Sequence, residues 1–366
     1  MNNLPPNHTT QLECTTYSDL FPDITNTLAV GVIFGTIYIA IFVFGAIGNV
    51  AIIYYTLRYR VLQTVRNILV LNLTIADIFV CFISVPITPL TYIYKEWFFG
   101  RFMCSALPWL QGCSILISSF SLTLIAVDRC STIVMPDIRF LVLTRRKCWR
   151  LIPILWLISG VLLYPYGYFM ELTTVMLQTL ANNSSNNSMT IDMPARVCGA
   201  FCTERWPSKL HQQVFSASIS VIQFAIPFTI IALCYSTVWW KLHKHMQRKL
   251  ARSQLQTLAC RHNRIIRQKQ QSTIKLISLV LIYGLAWLPH NIVVALMDHT
   301  AVLSTDIVYL LYMISHSFAM LTVVANPLLY AWLNSKFKTE IVQRLQTRNN
   351  YIDLRIVPQP EQEMNT

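Results

Sequence analysis

The chain has 366 residues, 54% of them hydrophobic and 12% charged, with a formal net charge of +13 and a mean hydropathy of +0.47. Soluble domains carry about a quarter charged residues, so an ordinary soluble domain is excluded and an integral membrane protein is indicated. In a soluble chain this excess of base would suggest nucleic acid; here its placement ties it to one membrane face, and no nucleic-acid partner is expected.

Residues 1–28 form a polar, slightly acidic tail with no apolar core of a signal peptide, so the first span is expected to direct insertion. Seven apolar runs follow, at about 29–57, 67–94, 102–135, 149–169, 210–242, 274–297 and 306–333, each of a length that crosses a bilayer. The fold class is therefore all-α: a seven-transmembrane helix bundle over 29–333, with short connections that make neighbours antiparallel. Two connections are long. Residues 170–209 are polar and asparagine-rich, and 243–273 are basic. After the last span, Phe337, Ile341 and Leu345 recur at helical spacing among bases, which predicts a short amphipathic helix over 334–346 lying on membrane lipid. Residues 347–366 are polar and expected to be disordered. The chain shows no internal repeat, which leaves the inverted-repeat logic of transporters without support. Its 10 cysteines are scattered without a CxxC pair, against a zinc or redox motif.

Lysine and arginine set the orientation. Arg58, Arg60 and Arg66 lie between spans one and two, and Arg139, Arg145, Arg146, Lys147 and Arg150 between three and four. The third such connection runs from Lys241 to Lys275 with many bases and no acid. These connections are expected in the cytoplasm, with the N-terminus outside and the C-terminus inside, as for a plasma-membrane protein. Asn7, Asn182, Asn183 and Asn186 each begin an Asn-X-Ser/Thr sequon on the predicted outer side.

Polar residues inside spans are the functional candidates. Gln111 and Arg129 are eighteen residues apart, five turns on one face of the third span, with Ser118 and Ile125 near the same line. Asp77 is near mid-membrane in the second span and should face Ser118 and Asn326; it reads either as a sodium or proton site or as a hydrogen-bonded packing knot. Asn49 reads as glue between helices. Pro86, Pro227, Pro289 and Pro327 interrupt helical hydrogen bonding. Trp287 stands beside Pro289 and can act as a lever when a kinked helix swings. Cys14, Cys104, Cys198 and Cys202 fall on the predicted outer side, where pairing is favoured, and Cys104 should tie to the long outer connection. Cys81, Cys113, Cys130, Cys148, Cys234 and Cys260 read as small apolar residues.

These residues together carry a resemblance. Gly48–Asn49, Leu71–Asn72–Leu73 with Ala76–Asp77, Cys104, Asp128–Arg129, Trp156, Pro227 and Tyr235, Trp287–Leu288–Pro289, and Asn326–Pro327–Leu328–Leu329–Tyr330 fall in order and in the right spans. The chain resembles rhodopsin-like, class A G-protein-coupled receptors across its whole membrane part. A narrower set is similar to neuropeptide Y receptors and to the invertebrate branch of neuropeptide F and nematode FMRFamide-like peptide receptors. It comprises Trp97–Phe98–Phe99–Gly100, Gln111, Arg196–Val197–Cys198–Gly199–Ala200–Phe201, Cys202–Thr203–Glu204–Arg205–Trp206–Pro207, Trp287–Leu288–Pro289–His290–Asn291 and Leu329–Tyr330–Ala331–Trp332–Leu333–Asn334. The chain departs from the family pattern at Cys130, where tyrosine is usual, at Ala286, at Thr322 and at Ser119, departures that bear on basal activity and sodium sensitivity.

The resemblance implies no enzyme activity, no cofactor beyond an allosteric sodium ion at Asp77, Ser118 and Asn326, and a disulfide from Cys104 to Cys202, with Cys198 as the rival. Its implied partners are an extracellular amidated peptide ending in Arg-Phe-amide or Arg-Tyr-amide, a heterotrimeric G protein, Gi/o above all, and arrestin. The matching ligand positions are Thr88, Gln111, Gln223, Asn291, Asp298 and His316. Their own chemistry agrees: Gln111 can donate to and accept from a terminal amide, and Asp298, three turns from Trp287 on one face, can pair with a ligand arginine. Asp298 reads otherwise as a solvated loop acid, and His316 and Gln223 as helix-to-helix bonds. Activation is implied to run through Asp128, Arg129, Tyr235, Trp287, Pro289, Asn326, Pro327 and Tyr330. Glu13, Asp19, Asp23, Glu171, Asp192 and Glu204 form an acidic outer face suited to a basic peptide. Rival classes are a photopigment, which needs a lysine in the last span and finds none, a transporter or channel, and a constitutive signalling scaffold without a peptide ligand.

Overall fold

The computed structural model describes residues 14–15, 23–135, 142–177, 196–250, 256–299 and 305–333. Among them, seven helices are long and apolar enough to cross a membrane. They are α1 Leu28–Arg58, α2 Val65–Tyr94, α3 Gly100–Val134 and α4 Arg145–Tyr168, α5 running through Lys209–Ser220 and Ile226–Leu250, α6 Gln256–His299 and α7 Thr305–Leu333. The four sequons, the helix over 334–346 and the tail over 347–366 lie outside the described residues.

Helix starts follow local chemistry. The Thr64, Thr144 and Ser208 side chains accept from the backbone N–H groups of Asn67, Lys147 and His211 at the heads of α2, α4 and α5. The basic connection expected over 243–273 is mostly helix instead: α5 continues to Leu250 and α6 begins at Gln256. The bilayer limits an apolar run, not a helix, and residues rich in Gln, Arg, Lys, Leu and Ala continue helix into water at little cost.

The prolines need a correction. Besides the four expected, Pro89 lies in α2, Pro108 in α3, and Pro153 and Pro165 in α4. Helices in apolar surroundings tolerate proline because neighbours supply the missing bonds, and two cases show how. Pro227 has no N–H for the carbonyl four residues back, Gln223, and Ser119 of α3 donates to that oxygen at 2.6 Å. Pro327 likewise offers nothing to Val323, and the Asn49 amide of α1 donates there at 2.9 Å. π-helical turns at Val80–Ser84 and Val221–Ala225 directly precede Pro86 and Pro227.

Packing of α1 on α7 depends on missing side chains. A Cβ on Gly48 would stand 2.8 Å from the Pro327 ring, and one on Gly45 2.8 Å from Val323. Asn72 joins three helices, donating to Ser121 of α3 at 3.0 Å and accepting from the Trp156 indole of α4 at 2.9 Å. Large apolar side chains such as Leu157, Leu285 and Leu328 point outward, as a bilayer requires.

The long connection after α4 contains a hairpin. Strand β2, Met170–Leu177, pairs antiparallel with β3, Arg196–Glu204, and β1, Cys14–Thr15, adds in parallel to the far side of β3. The hairpin caps one end of the bundle; the opposite end carries Arg66, Arg129 and Arg145.

Candidate functional site

At the hairpin end, Cys104 at the head of α3 is disulfide-bonded to Cys202 of β3. The Trp97 N–H donates to the Ala200 carbonyl at 2.7 Å, so the connection between α2 and α3 is tied to the same strand. The side chains of Cys14 and Cys198 lie outside the described residues. A cavity of about 380 Å³ opens beside the hairpin, walled by Tyr92, Glu96, Trp97, Phe201 and Tyr309.

Lys95 also lines this cavity, and behind it stands Asp23. One carboxylate oxygen accepts from the Thr25 N–H and hydroxyl and from the Asn26 N–H; the other pairs with Lys95 in a buried ion pair. Lys95 holds a left-handed backbone at the end of α2 (φ 53°) and sits 4.1 Å from the centre of the Tyr309 ring. Burial alone would raise the Asp23 carboxyl. Hydrogen bonds from Lys95 and Thr25, with the lysine charge, outweigh it and hold the group below its ordinary 3.8. The expected acidic outer face is thus partly neutralised. Asp23 is bound to Lys95, Glu171 to Arg205 at 3.1 Å, and Glu204 accepts from Trp206 and Gln212. Glu13, Asp19 and Asp192 lie outside the described residues.

Deeper in the bundle, Gln111 of α3 is half-buried, and its carbonyl oxygen accepts from Ser84 of α2 at 2.8 Å. Ser84 lies 3.5 Å from the Thr88 hydroxyl. This leaves the Gln111 NH₂ as the free half of the amide among the described hydrogen bonds. Gln223 is buried, and its carbonyl takes the Ser119 bond. His316 of α7 is fully buried; Nδ1 meets the Tyr38 hydroxyl of α1 at 2.7 Å. Its Nε2 has no partner among the described residues, and neither does Nε1 of the buried Trp287. Between the cavity and these atoms stands a column of rings: Tyr92 stacks on Tyr312 at 4.0 Å and Tyr312 on His316 at 5.8 Å. His290 of α6 contacts both Tyr312 and His316 edge-on and reaches Ser315 at 3.3 Å. Asn291 turns back to donate to the Trp287 carbonyl at 2.7 Å. Asp298 is on α6 near its end, with its side chain outside the described residues.

Beneath Trp287, Asn326 Nδ2 donates to Asp77 Oδ2 at 2.8 Å. A cavity of about 10 Å³ adjoins Asp77, Ser114, Ser118, Tyr283, Trp287 and Thr322, roughly the space of one water-sized sphere. Its polar walls are a carboxylate and hydroxyls, the hard oxygen donors that suit a hard cation. Asn326 presents its NH₂ to the carboxylate. Tyr283 of α6 donates to the Ile115 carbonyl of α3 at 3.0 Å, holding those helices together just below the tryptophan.

At the basic end, Asp128 is buried and lies in the fields of Arg129 and Arg66. Arg129 Nε is buried without a hydrogen-bond partner among the described residues. Tyr235 and Tyr330 are buried on either side of this space, from α5 and α7. The Lys241 ammonium donates to the Val134 carbonyl at 2.6 Å, pinning α5 to the end of α3. Pro289 and Pro327 lie within α6 and α7, between the two ends.

Sequence reasoning missed Tyr38, Ser84, Tyr283 and His290 as partners in these clusters. His290 was visible only as part of the Trp287–Asn291 tract. Tyr38 gave no signal, since its partner is 278 residues away.

The chain matches the family model described as 7 transmembrane receptor (rhodopsin family) over residues 48–330. It is 31% identical over 367 residues to the protein named neuropeptide receptor npr-1 of Caenorhabditis elegans, covering 90% of this chain and 76% of that one. It is 30% identical over 321 residues to neuropeptide Y receptor type 2 of Homo sapiens, covering 86% and 77%. With neuropeptide Y receptor type 6 of Mus musculus it shares 30% over 310 residues, covering 83% and 78%. The match runs from Gly48, where α1 closes on α7, to Tyr330 at the basic end: the chain belongs to the rhodopsin family of seven-transmembrane receptors, the class A G-protein-coupled receptors, and is a multi-pass membrane protein and not an enzyme.

Proposed function

We propose that this receptor responds to an extracellular neuropeptide with an amidated Arg-Phe C-terminus and signals through heterotrimeric G proteins of the Gi/o class, with arrestin as a further partner. The hairpin end faces outward and the basic end the cytoplasm of the plasma membrane, as the lysine and arginine bias requires. The observation that carries the reading is Gln111: a neutral, half-buried amide whose oxygen is held by Ser84, leaving its NH₂ to donate to a ligand carbonyl. An amine ligand would need a carboxylate there, because a buried ammonium requires a counter-charge. The relatives named as neuropeptide receptors support the same ligand class. Asp298, at the end of α6 on the Trp287 side, supplies the charge for the ligand arginine.

Peptide binding favours a state in which α6 swings at Pro289. That motion breaks the Tyr283–Ile115 bond and opens a cytoplasmic cleft lined by Arg129 and Tyr235. A sodium ion in the small cavity, held by Asp77 with the Ser114, Ser118 and Thr322 hydroxyls around it, would favour the closed bundle by supplying the counter-charge that Asp77 lacks among its described partners.

The test is a dose–response series in cells carrying Gi, Gq and Gs reporters. It uses a synthetic peptide ending in Arg-Phe-amide and the same peptide ending in the free acid. The amide should activate, the acid should be weaker by more than tenfold, about 1.4 kcal/mol or more, and pertussis toxin should abolish the response. Equal potency of acid and amide, or no response to either with the receptor on the surface, overturns the ligand class; a toxin-insensitive response overturns the coupling.

A further inference from the structure

Arg101 stands in the first turn of α3 at the hairpin end, exposed and without an ion pair or hydrogen bond among the described residues. Two other bases at that end are matched: Lys95 pairs with Asp23 and Arg205 with Glu171. Arg101 heads a groove of about 490 Å³ between α3 and α4. α3 lines it with Arg101, Phe102, Trp109 and Leu110, and α4 with Tyr164 and Tyr168. The two helices run in opposite directions, so Arg101 and Tyr168 share the hairpin end while Leu110 and Tyr164 lie deeper. Leu110 is nine residues on from Arg101, about 14 Å along the helix axis. The floor of the groove is closed. A Cβ on Gly167 would stand 2.8 Å from the Ser105 carbonyl oxygen, and the Trp109 indole donates to the Gly160 carbonyl at 3.0 Å, so α3 and α4 meet directly behind it. Phe102, Tyr164 and Tyr168 are exposed. The one charge therefore sits at the hairpin end of the groove, and the deeper wall is aromatic and aliphatic.

We propose that this groove binds one phospholipid of the adjoining leaflet, the outer one in the orientation given above, with its phosphate on Arg101 and an acyl chain along Trp109, Leu110 and Tyr164. The groove opens on the outward surface of a chain with seven spans, so lipid is what meets it. Arginine takes phosphate through two parallel N–H bonds, and Arg101 has no counter-charge among the described residues. Tyrosine and tryptophan favour the headgroup level of a bilayer. The Tyr164 and Tyr168 rings, 5.6 Å apart between centres, form a wall where the head of a lipid gives way to its chain. A sterol offers the guanidinium only a hydroxyl, and a free phosphate ion leaves the apolar wall uncovered. Met170, the first residue of β2, also lines the groove. The bound lipid thus braces the root of the hairpin whose other strand carries the disulfide to Cys104. The site does not depend on which peptide the receptor takes.

The experiment is native mass spectrometry of the full chain, purified in detergent, stripped of lipid and titrated with dioleoylphosphatidylcholine or with dioleoylglycerol, which has the same chains and no phosphate. The native receptor should hold one phosphatidylcholine about tenfold more tightly than the diacylglycerol, the worth of one charge-assisted contact. Arg101→Gln should erase that preference and leave the diacylglycerol signal unchanged, which shows that the variant is folded; Arg101→Lys should keep part of it. Leu110→Trp, which fills the deep end, should weaken both lipids alike. In the unmutated chain, a phosphatidylcholine with a diazirine halfway along its acyl chain should label Trp109, Leu110 or Tyr164 above outward residues of α1 such as Ile39. Equal retention of the two lipids, a preference that survives Arg101→Gln, tighter retention of cholesterol or oleic acid, or labelling spread evenly over the outward faces overturns the proposal.

Discussion

The bond from Asn49 to the Val323 carbonyl makes a prediction that separates a true interhelical bond from mere proximity. Pro327 removes the N–H that would otherwise bond Val323, and the Asn49 amide takes that oxygen at 2.9 Å from a fully buried position. Asn49→Ala therefore leaves a buried carbonyl unpaired. The general cost of such an orphan is about 1–3 kcal/mol, while bonds between membrane helices average about 0.6 and reach about 1.7 kcal/mol. Taken together they place the loss at about 1–2 kcal/mol, a fall in melting temperature of about 2–4 °C for a chain of this size. In a Pro327→Ala background the helix supplies its own N–H, and Asn49→Ala should cost less by about 1 kcal/mol. The assay is thermal unfolding of purified receptor in lipid nanodiscs for the native chain, each single variant and the double. Independent sites add to within about 0.3–0.5 kcal/mol. If Asn49→Ala costs the same with proline or alanine at 327, the carbonyl was not the partner that mattered.

Other outcomes follow from the same geometry. Asp298→Ala should weaken an Arg-Phe-amide peptide by well over tenfold, since losing one side of a buried charged contact costs about 2–5 kcal/mol; replacing the peptide arginine by citrulline should show no further loss in that variant, and additive losses measured at equal surface expression would refute the contact. Peptide mapping without reduction should recover Cys104 joined to Cys202, and Cys14 joined to Cys198, whose strands β1 and β3 are paired. Because the folded Asp23 carboxyl sits below 3.8, its pairing with Lys95 contributes fully above that ordinary value and is lost only as pH falls through the lower folded one. Amide exchange at Thr25 and Asn26, corrected for its intrinsic pH dependence, should therefore show constant protection from about pH 8 to pH 5, and Lys95→Met should reduce it throughout that range.

The spans were legible because apolar runs of this length have few other readings, and the polar residues inside them stood out as anomalies. Asn49, Asp77, Gln111 and Asn326 each make a side-chain bond to another helix. Their partners were not legible, because Val323 is 274 residues from Asn49 and nothing local marks it. Nor was the burial of each helix. Residues that suit the bundle interior also suit lipid, so α1 and α2 are equally apolar, yet most of α2 is enclosed and most of α1 is not. The hairpin was hidden for a different reason: its strands Met170–Leu177 and Arg196–Glu204 flank an asparagine-rich tract whose polarity dominated the whole stretch.

The prolines show how the two kinds of information combine. A proline in a membrane helix first looks like a weakness, since it withholds an N–H where no water can replace it. In α5 and α7 the freed carbonyl is the acceptor for a donor on a neighbouring helix, Ser119 for Gln223 and Asn49 for Val323. An ordinary helical carbonyl is already bonded and competes poorly for such a donor, so each proline makes its helix a better partner than an unbroken one. The bond also holds the helix at the level of its proline, where a small change in angle moves the far end most. Ser119 and Asn49 therefore restrain α5 and α7 on either side of the Trp287–Asp77 cavity. α6 carries Pro289 just after Leu285 and Leu288, both exposed outward, so the carbonyl that Pro289 frees, that of Leu285 four residues back, belongs to an outward-facing residue. Its described tie to α3 in this region is the Tyr283 hydroxyl, six residues away. Of these three proline-bearing helices, α6 is the one whose proline is not bridged by a neighbour among the described hydrogen bonds, and so the one with least to break when it swings.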